Sequence, residues 1–315
     1  MKLYRSLDEI TVHPPPTVAT IGNFDGVHCA HQHVLQEVVR RAREINGRSL
    51  VITFDPHPPR VLRPDKAPKL ITAIADKIDF ISQQDVDATL VIPFDSQFAQ
   101  TTSEEFCRFL CKAANVREIH EGANFRFGRG AAADVREMER LGCDFGFNVV
   151  IYPEERIRNE VVSSSRVRAL IAAGSLNTAR HLLGRSFFIR STPAKGRGYG
   201  SRYIVPTINL ASYAELVPGN GVYVTELEIE DRSWRAVTNV GNRPTFGQES
   251  FAIETHILDF EPLSLNENTP LKLTFLYRLR DERRFESPDA LKAQIGLDVR
   301  RARRWLALRD ALVRR

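Results

Sequence analysis

Two glycines and two histidines early in the chain have the residue types and spacing of a phosphate-binding loop. Gly22 and Gly26 precede His28 and His31 within a segment of ten residues. Glycine lets a backbone approach a phosphate closely, and the start of the next helix offers unpaired N–H groups at its positive end. Because the histidines are three residues apart, their rings point together and can donate hydrogen bonds to charge that develops on phosphorus. The alternative is that both are polar caps of an exposed turn.

A second glycine-rich segment lies near residue 200. The run KGRGYGSR at 195–202 is basic and leads into Pro206, Thr207 and Asn209. Thr207 and Asn209 are two residues apart in a predicted strand, so their side-chain oxygens share one face. By themselves the glycines indicate only a flexible loop, and Thr207 and Asn209 could be the polar face of an edge strand that begins at Pro206.

The first 183 residues alternate apolar segments with amphipathic ones, which is typical of a parallel sheet covered by helices on both faces. The loop that contains His28 lies between the first predicted strand and the first predicted helix, where ligands of an open α/β sheet bind. Apolar residues recur at helical spacing up to Ile45, and Gly47 ends that helix. Ser103 is the predicted cap of a later helix. Strands are predicted at 17–21, 49–54, 88–92, 116–121 and 147–152, and further helices from Thr72, Ser103, Asp134, Ser165 and Asn177.

From about Arg185 the periodicity changes from helical to strand-like. Apolar and polar residues alternate over 222–230 and 271–279, which predicts half-buried antiparallel strands in a small barrel or sandwich. Ser287 followed by Pro288 predicts the start of an amphipathic helix that runs toward Arg315. The sequence therefore predicts an α/β domain over 1–183 and a β domain with a C-terminal helix over 184–315.

Length, composition and cysteine content limit the class of protein. The 315 residues are enough for two domains, and 43% hydrophobic and 26% charged residues exclude a disordered or coiled-coil chain. The net charge of +5 suits an anionic substrate. Because no segment has the apolar length of a membrane span or a signal peptide, we expect a cytoplasmic protein without a membrane partner. A zinc site is not expected, since no C-x-x-C pair occurs among Cys29, Cys107, Cys111 and Cys143.

Four segments of the first half resemble the nucleotidylyltransferase superfamily, and in particular the bacterial bifunctional riboflavin kinases/FMN adenylyltransferases, also called FAD synthetases. GNFDGVH at 22–28 with His31 is similar to the first nucleotide signature, although Ala30 stands where the signature has glycine. TFDPHP at 53–58 and the flavin-side NFRFG at 124–128 match family motifs. VSSSRVR at 162–168 resembles the second nucleotide signature, with Ser165 in place of threonine. The four segments occur in the family's order.

This resemblance implies a Rossmann-like nucleotidylyltransferase domain that transfers AMP from ATP to the FMN phosphate. The reaction needs no protein nucleophile, so catalysis consists of aligning two anions and stabilising charge. His28 and His31 are the implied catalytic residues. The implied ATP-binding residues are Gly22, Asn23, Phe24, Asp25, Gly26, His28, His31, Ser164, Ser165 and Arg168, and the implied flavin-binding residues are Asp55, Pro56, His57, Asn124, Phe125 and Arg126.

Without the family, simpler interpretations of these segments stay open. Residues 53–58 could be a proline-rich loop that His57 caps. Residues 124–129 could be a turn, a core aromatic and a solvated basic face. Residues 164–168 could be a helix N-cap followed by a surface arginine.

Segments of the second half resemble riboflavin kinases. Residues 195–209 are similar to the pattern GxGRGxxxGxPTxN, with Ile204 at the usual glycine and one extra residue before the PT pair. NVGNRPTFG at 239–247 and IETHILDF at 253–260 resemble the next two motifs. The resemblance implies a β-barrel kinase in which Glu254 is the general base and Thr207 and Asn209 hold Mg²⁺. Without its neighbours, Glu254 could be an exposed residue of an alternating strand. The implied ATP-binding residues of the kinase are Gly196, Arg197, Gly198, Gly200, Thr207 and Asn209.

The expected function is therefore the synthesis of FMN and FAD from riboflavin, with ATP as substrate, Mg²⁺ as cofactor and riboflavin, FMN and ATP as small-molecule partners. One alternative is a different nucleotidylyltransferase whose C-terminal domain is not a kinase. Another is a nucleic-acid binder that grips phosphates with the arginines of 300–304. Because the sequence has no aromatic and basic stacking motif, no nucleic-acid partner is expected.

Overall fold

The computed structural model describes residues 1–10, 14–194, 207–230, 232–243, 250–259 and 265–313. The chain folds as two compact units, Met1–Arg166 and Val167–Arg315. The domain boundary between residues 183 and 184 stays a prediction. Within the described ranges, no helix combines the length and the apolar character needed to cross a bilayer.

The first unit is an α/β fold built on a parallel sheet. Six strands lie in the order β1-β4-β3-β2-β5-β8, and all five neighbouring pairs are parallel. This confirms the predicted fold class. The elements are β1 (Lys2–Tyr4), β2 (Thr17–Ile21), α1 (Cys29–Glu44), β3 (Arg48–Asp55), α2 (Pro58–Leu62), α3 (Ile74–Ser82), β4 (Ala88–Pro93), α4 (Ser103–Ala114), β5 (Val116–Gly122), β6 (Arg126–Phe127), β7 (Ala133–Asp134), α5 (Val135–Phe145), β8 (Asn148–Tyr152), β9 (Arg156–Ile157), β10 (Glu160–Val161) and α6 (Ser164–Ala172), which continues into the second unit.

Local sequence explains most of these boundaries. Every residue of β2 is buried, as expected for a central strand with helices on both faces. The predicted cap of α4 was one residue too late, because Thr102 is the N-cap and forms a reciprocal capping box with Glu105. Asp134 caps α5 by accepting from two backbone N–H groups, and Gly146 ends it in the left-handed conformation. The edge strand β1 was not predicted, since three residues are too few to show periodicity.

The order of the strands places a crevice between β2 and β5. The chain leaves β2 toward β3 and β4 on one side of the sheet and returns to β5 on the other side. In such sheets, ligands bind at the carboxyl ends of the two strands where the order reverses. The ladder between β2 and β5 ends at the pair Ala19 and Ile119, so the two strands separate beyond it.

The second unit is an antiparallel sheet with a long C-terminal helix, as predicted. The strands lie in the order β11-β16-β13-β14-β15-β12. Pro193 and Leu210, which follow the two edge strands, form a bridge that brings the edges together and curls the sheet into a barrel. The elements are the end of α6, α7 (Leu176–Leu183), β11 (Phe187–Ser191), β12 (Ile208–Asn209), β13 (Gly221–Ile229), β14 (Arg232–Arg243), β15 (Ser250–Ile257), β16 (Leu271–Arg280) and α8 (Pro288–Val313).

The two faces of the curled sheet bury different side chains. One face carries a row of buried threonine hydroxyls, in which Thr238 bonds to Thr225 at 2.8 Å and to Thr255 at 2.9 Å. This satisfies three polar groups that would otherwise be unpaired in the core. The other face packs against α8, where Ala302 and Leu306 are fully buried among strand valines.

Candidate active site

A cavity of about 930 Å³ opens at the carboxyl ends of β2 and β5 in the first unit. Its volume lies near the upper end of the range of about 300–1,000 Å³ that is typical of ligand sites. The fold thus brings together side chains from four separate sequence segments. Ten of the predicted residues line the cavity, namely Gly22, Asn23, Phe24, His28, His31, Asn124, Phe125, Arg126, Ser164 and Ser165.

The loop between β2 and α1 has an unusual backbone that its own side chains hold in place. Phe24 and Val27 have φ values of +45° and +37°, and Gly26 has φ +86°. Positive φ is costly for a phenylalanine or a valine, so the surroundings must compensate. Phe24 and Val27 are both buried in one apolar cluster with Leu35 of α1, and this packing fixes the loop. Preorganised loops of this kind are found where a backbone must present its N–H groups to a ligand.

His28 and His31 form a stacked pair at the start of α1. Their ring centroids are 3.6 Å apart at an interplanar angle of 16°, and the edge of Phe24 packs against His31 at 5.0 Å. His28 is the N-cap, and its Nδ1 accepts a hydrogen bond from the His31 N–H at 3.3 Å. That bond assigns the proton of neutral His28 to Nε2. Ala30 follows in regular helix outside the positive-φ residues, so its methyl group causes no backbone strain.

The His31 ring is held in its neutral form. Burial lowers its pKa well below 6.5, and the neighbouring His28 and Lys77 lower it further. Nδ1 of His31 is buried and has no hydrogen-bond partner within the described residues. A buried ring nitrogen without a partner on a cavity wall is available to a ligand.

Five other predicted residues of this unit do not line the cavity, and one of them, Asp25, supports the loop. Asp25 is buried, and its carboxylate accepts from the backbone N–H groups of Ile71 and Thr72. Its carbonyl oxygen accepts from Ser164 Oγ at 2.8 Å, which ties the loop to the start of α6. Gly26 and the buried His57 also lie outside the lining. So do Asp55 and Pro56, which a cis peptide joins.

Lys77 supports the loop between β2 and α1, and the sequence analysis missed it. It lies on α3 and is only 5% exposed. Its ammonium donates to the Asn23 carbonyl at 2.9 Å and to Thr53 Oγ1 at 3.4 Å. Burial lowers the pKa of Lys77, and the nearby Asp25 and Asp55 act in the opposite direction. Its spacing of four from the buried Ile81 on one helix was the available signal, because it puts a lysine on the apolar face.

Glu121 was also missed, although it lies next to the loop at the end of β5. It is 4% exposed and accepts a hydrogen bond from the Ile21 N–H at 2.6 Å. Strand alternation puts Glu121 on the same side as the buried Ile119, and this would have identified it as a carboxyl that points inward.

One end of the cavity is aromatic. Phe125 and Phe127 are stacked with their ring centroids 5.6 Å apart, and Phe54 packs edge-on against Phe94 at 5.6 Å. A flat aromatic ligand can stack or pack edge-on against such rings. The phenylalanines that line this end are Phe54, Phe94, Phe98, Phe106, Phe125 and Phe127, of which the sequence predicted only Phe125.

In the second unit, the barrel brings Glu254 between two asparagines. Glu254 of β15 is directly opposite Asn209 of β12 and also opposite Asn239 of β14. Residues paired in this way point to the same face of the sheet, and all three are half-buried. Thr207 is exposed just before β12. Arg168 lies in this unit, on α6, and its role in ATP binding stays a prediction. Gly196, Arg197, Gly198 and Gly200 lie outside the described residues.

Comparison with known proteins gives a consistent result over nearly the whole chain. Residues 10–166 match the family described as FAD synthetase, and residues 183–306 match the family described as riboflavin kinase. The bifunctional riboflavin kinase/FMN adenylyltransferase of Pseudomonas fluorescens is 34% identical, over 96% of this chain and 97% of the relative. The protein of that name from Escherichia coli K12 is 32% identical, over 98% and 99%. A solved structure from Streptococcus pneumoniae, described as a macrolide-efflux protein, superposes with a TM-score of 0.85 at 29% identity, over 96% of this chain and 98% of that one.

Proposed function

The chain belongs to the family of bifunctional riboflavin kinases/FMN adenylyltransferases, and from this membership we propose how its residues carry the two reactions. It phosphorylates riboflavin to FMN and adenylylates FMN to FAD, with ATP as substrate in both steps. The riboflavin kinase match over 183–306 argues against the alternative of a C-terminal domain that is not a kinase. The cytoplasmic location and the absence of membrane and nucleic-acid partners stay predictions.

We assign adenylyl transfer to the cavity of the first unit. The observation that carries this assignment is the convergence of four motif segments on one cavity, which both the preorganised loop and a cluster of aromatic rings line. An oxygen of the FMN phosphate attacks the α-phosphorus of ATP, a new P–O bond forms, and the bond to pyrophosphate breaks. No group on the protein has to become covalently attached, so the site must align two anions and stabilise the charge on phosphorus.

Each part of the cavity has a role in this reaction. The stacked His28 and His31 rings lie beside the N-terminal N–H groups of α1, and His31 is neutral. Together these hydrogen-bonding groups can stabilise an anionic transition state. Ser165 at the start of α6 supplies a hydroxyl for the phosphates, and Ser164, whose hydroxyl proton is used in its bond to the Asp25 carbonyl, joins the two segments. The rings around Phe125 accept the isoalloxazine. Asn124 and Arg126, which also line the cavity, supply polar contacts for FMN.

We assign riboflavin phosphorylation to the face of the barrel that carries Glu254. The primary hydroxyl of riboflavin is a poor nucleophile until a base accepts its proton. Glu254 is half-buried and lies between Asn209 and Asn239 in the sheet register, so neighbouring amides can orient its carboxylate. As it loses its proton to Glu254, the hydroxyl oxygen of riboflavin attacks the γ-phosphorus of ATP. A new P–O bond forms and ADP leaves.

The donor set at the edge of the barrel fits Mg²⁺. A threonine hydroxyl and an asparagine amide oxygen are hard oxygen ligands, and the Glu254 carboxylate lies opposite one of them in the register. Thr207 and Asn209 would hold the ion together with ATP phosphates. When bound, Mg²⁺ offsets the negative charge of the phosphates.

The assignments predict that Glu254→Gln separates the two activities. With riboflavin, ATP and Mg²⁺, the parent chain produces FMN and then FAD, which chromatography resolves. The variant is expected to form FMN about 10²- to 10⁴-fold more slowly, because an amide cannot accept the hydroxyl proton. It should still convert added FMN to FAD.

Glu228→Gln is the matched control. Glu228 lies on β13, which β14 separates from the strand of Glu254, and pairs with Lys272 at 2.9 Å. This variant should phosphorylate riboflavin like the parent. Parental phosphorylation by Glu254→Gln would show that Glu254 is not the base, and the lack of both products from the well-folded parent would contradict the function itself.

A further inference from the structure

Glu121 lies where the sheet opens to form the active-site cavity. Its Oε1 accepts from the Ile21 N–H at 2.6 Å, and the Thr20 side chain forms a second hydrogen bond to the carboxyl. Thr20, Ile21 and Glu121 all line the cavity, and the next residue is Gly22 of the phosphate loop. The carboxyl is therefore one residue away from the loop that the proposed reaction uses.

The carboxyl replaces a bond that the sheet cannot make. The backbone ladder between β2 and β5 ends at Ala19 and Ile119, two residues before Ile21. On its other side the sheet continues, because the Gly22 N–H donates to the Ile52 carbonyl of β3. Without Glu121, the buried Ile21 N–H would lose its acceptor, and a buried unpaired N–H is costly. The side chain thus bridges the gap that separation of the two strands creates.

The surroundings favour the uncharged acid. Burial raises the pKa of Glu121 well above 4.5, and the hydrogen bonds from Ile21 and Thr20 lower it only in part. The titratable neighbours of Glu121 on β5, Glu118 and His120, alternate to the other face of the strand and bind each other at 2.8 Å. The titratable groups that share the cavity are His28, His31 and His33 near the start of α1, Arg126, and Tyr152, Glu154 and Glu155 near the end of β8.

We propose that Glu121 is a positioning residue of the adenylyltransferase site, whose carboxyl holds the end of β2 beside β5 and thereby fixes the backbone of the phosphate loop. The inference rests on the proposed function of this cavity. Because the cavity must take the phosphates of both ATP and FMN, an ionised Glu121 would oppose their binding. The pKa of Glu121 is raised in the folded state, so its uncharged form is lost as the pH rises through that pKa. ATP binding should therefore weaken on the alkaline side.

Two substitutions test the role of the carboxyl. Glu121→Gln keeps an acceptor oxygen of the same reach and cannot ionise, whereas Glu121→Leu keeps an apolar side chain of similar size and has no acceptor. We expect the glutamine variant to keep kcat/KM for ATP in FAD formation within about 3-fold of the parent, and the leucine variant to lose about 10-fold or more, mainly through KM for ATP. Riboflavin phosphorylation, measured on the same samples, should be unchanged in both.

Glu118→Gln is the control on the opposite face of β5. Glu118 pairs with Arg41 at 3.0 Å and with His120, so its loss perturbs the strand without touching the Ile21 N–H. Its KM for ATP should equal that of the parent. A parental KM in Glu121→Leu, or a glutamine variant as impaired as the leucine variant, would overturn the proposal.

A pH series keeps the proposal testable if the leucine variant does not fold. Between about pH 6 and pH 10, KM for ATP in FAD formation should rise on the alkaline side for the parent and stay flatter for Glu121→Gln. Coincident profiles would overturn the proposal. If the parent itself formed FMN but no FAD, the assigned function of the cavity would be wrong. If the parent and all variants formed FAD equally well, only the role of Glu121 would be wrong.

Discussion

At the residue scale, the first unit places unusual protonation states around one loop. The His31 ring is neutral because burial lowers its pKa and the nearby His28 and Lys77 lower it further. Lys77 is itself buried and donates to the Asn23 carbonyl. Below pH 6.5, the His31 imidazole binds fewer protons in the folded chain than in the unfolded chain. The contribution of His31 to stability is therefore present above that pH and is lost as the pH falls toward the lower folded-state pKa. Bound triphosphate would reverse the balance, because its negative charge favours the imidazolium.

We therefore predict that ATP raises the pKa of His31. The measurement is an NMR titration of the histidine ring signals, with the His31 signal assigned by its absence in His31→Ala. In the ligand-free protein the signal should titrate well below 6.5, and with ATP and Mg²⁺ its midpoint should move upward.

His181 of α7 provides the internal control for this titration. It does not line the cavity, so ATP bound there should shift its ring signal much less than that of His31. Equal movement of both signals would mean that the nucleotide acts on the whole surface and does not bind beside His31.

At the element scale, α8 is joined to the barrel by a buried charged cluster as well as by apolar packing. Asp298 of α8 is 2% exposed and accepts from Arg280 Nε at 3.0 Å, while Gln294 donates to the same carboxylate at 2.7 Å. Both charges are largely removed from water, so each depends on the other to offset the desolvation. The helix is therefore held against β14 and β16 in one fixed register.

Asp298→Ala is predicted to reduce the free energy of unfolding of the second unit by about 3–5 kcal/mol, because Arg280 is left buried without its partner. Both tryptophans of the chain, Trp234 and Trp305, belong to this unit, so their fluorescence during urea unfolding reports on it directly.

Asp259→Ala is the control for Asp298→Ala. Asp259 pairs with Arg303 of the same helix, but its carboxylate is 71% exposed. Its removal should leave the urea midpoint unchanged, because water replaces the lost partner. Equal midpoints for the two variants would show that the Arg280 cluster contributes no more than a surface pair.

At the scale of the whole molecule, the proposed assignments put the two reactions on different residues in different units, and FMN is the product of one and the substrate of the other. His31 lies in Met1–Arg166, and Glu254 lies in Val167–Arg315. A defect in one site therefore need not affect the other. We expect FMN released by one molecule to be used by a second one.

Mixing two defective variants should restore FAD synthesis from riboflavin. His31→Ala is expected to lose about 10²-fold or more of adenylyl transfer, since one preorganised group is removed, but to accumulate FMN. Glu254→Gln should make little FMN and adenylylate what it receives. Chromatography of the mixture should show FAD after a lag in which FMN appears, while each variant alone at the same total concentration makes little FAD. A mixture without FAD would mean that one of the substitutions damages both sites.

The sequence by itself determined the elements and the motifs. Strand and helix periodicity depends on neighbouring residues. The sequence therefore predicted the central strands, the helix from Pro288 and the change from helical to strand-like periodicity near Arg185. The motif residues could be read as well, because His28, Ser164 and Glu254 keep a fixed spacing within their own segments.

The tertiary structure alone decided which residues from distant segments support each other. Lys77 beneath Asn23, Glu121 against Ile21, and Asn239 beside Glu254 are pairs that no local pattern encodes, because they form only when strands from different parts of the chain come into register. The protonation states of His31 and Glu121 also depended on the tertiary structure. The uncharged forms of His31 and Glu121 arise from burial, and burial is a property of the assembled core.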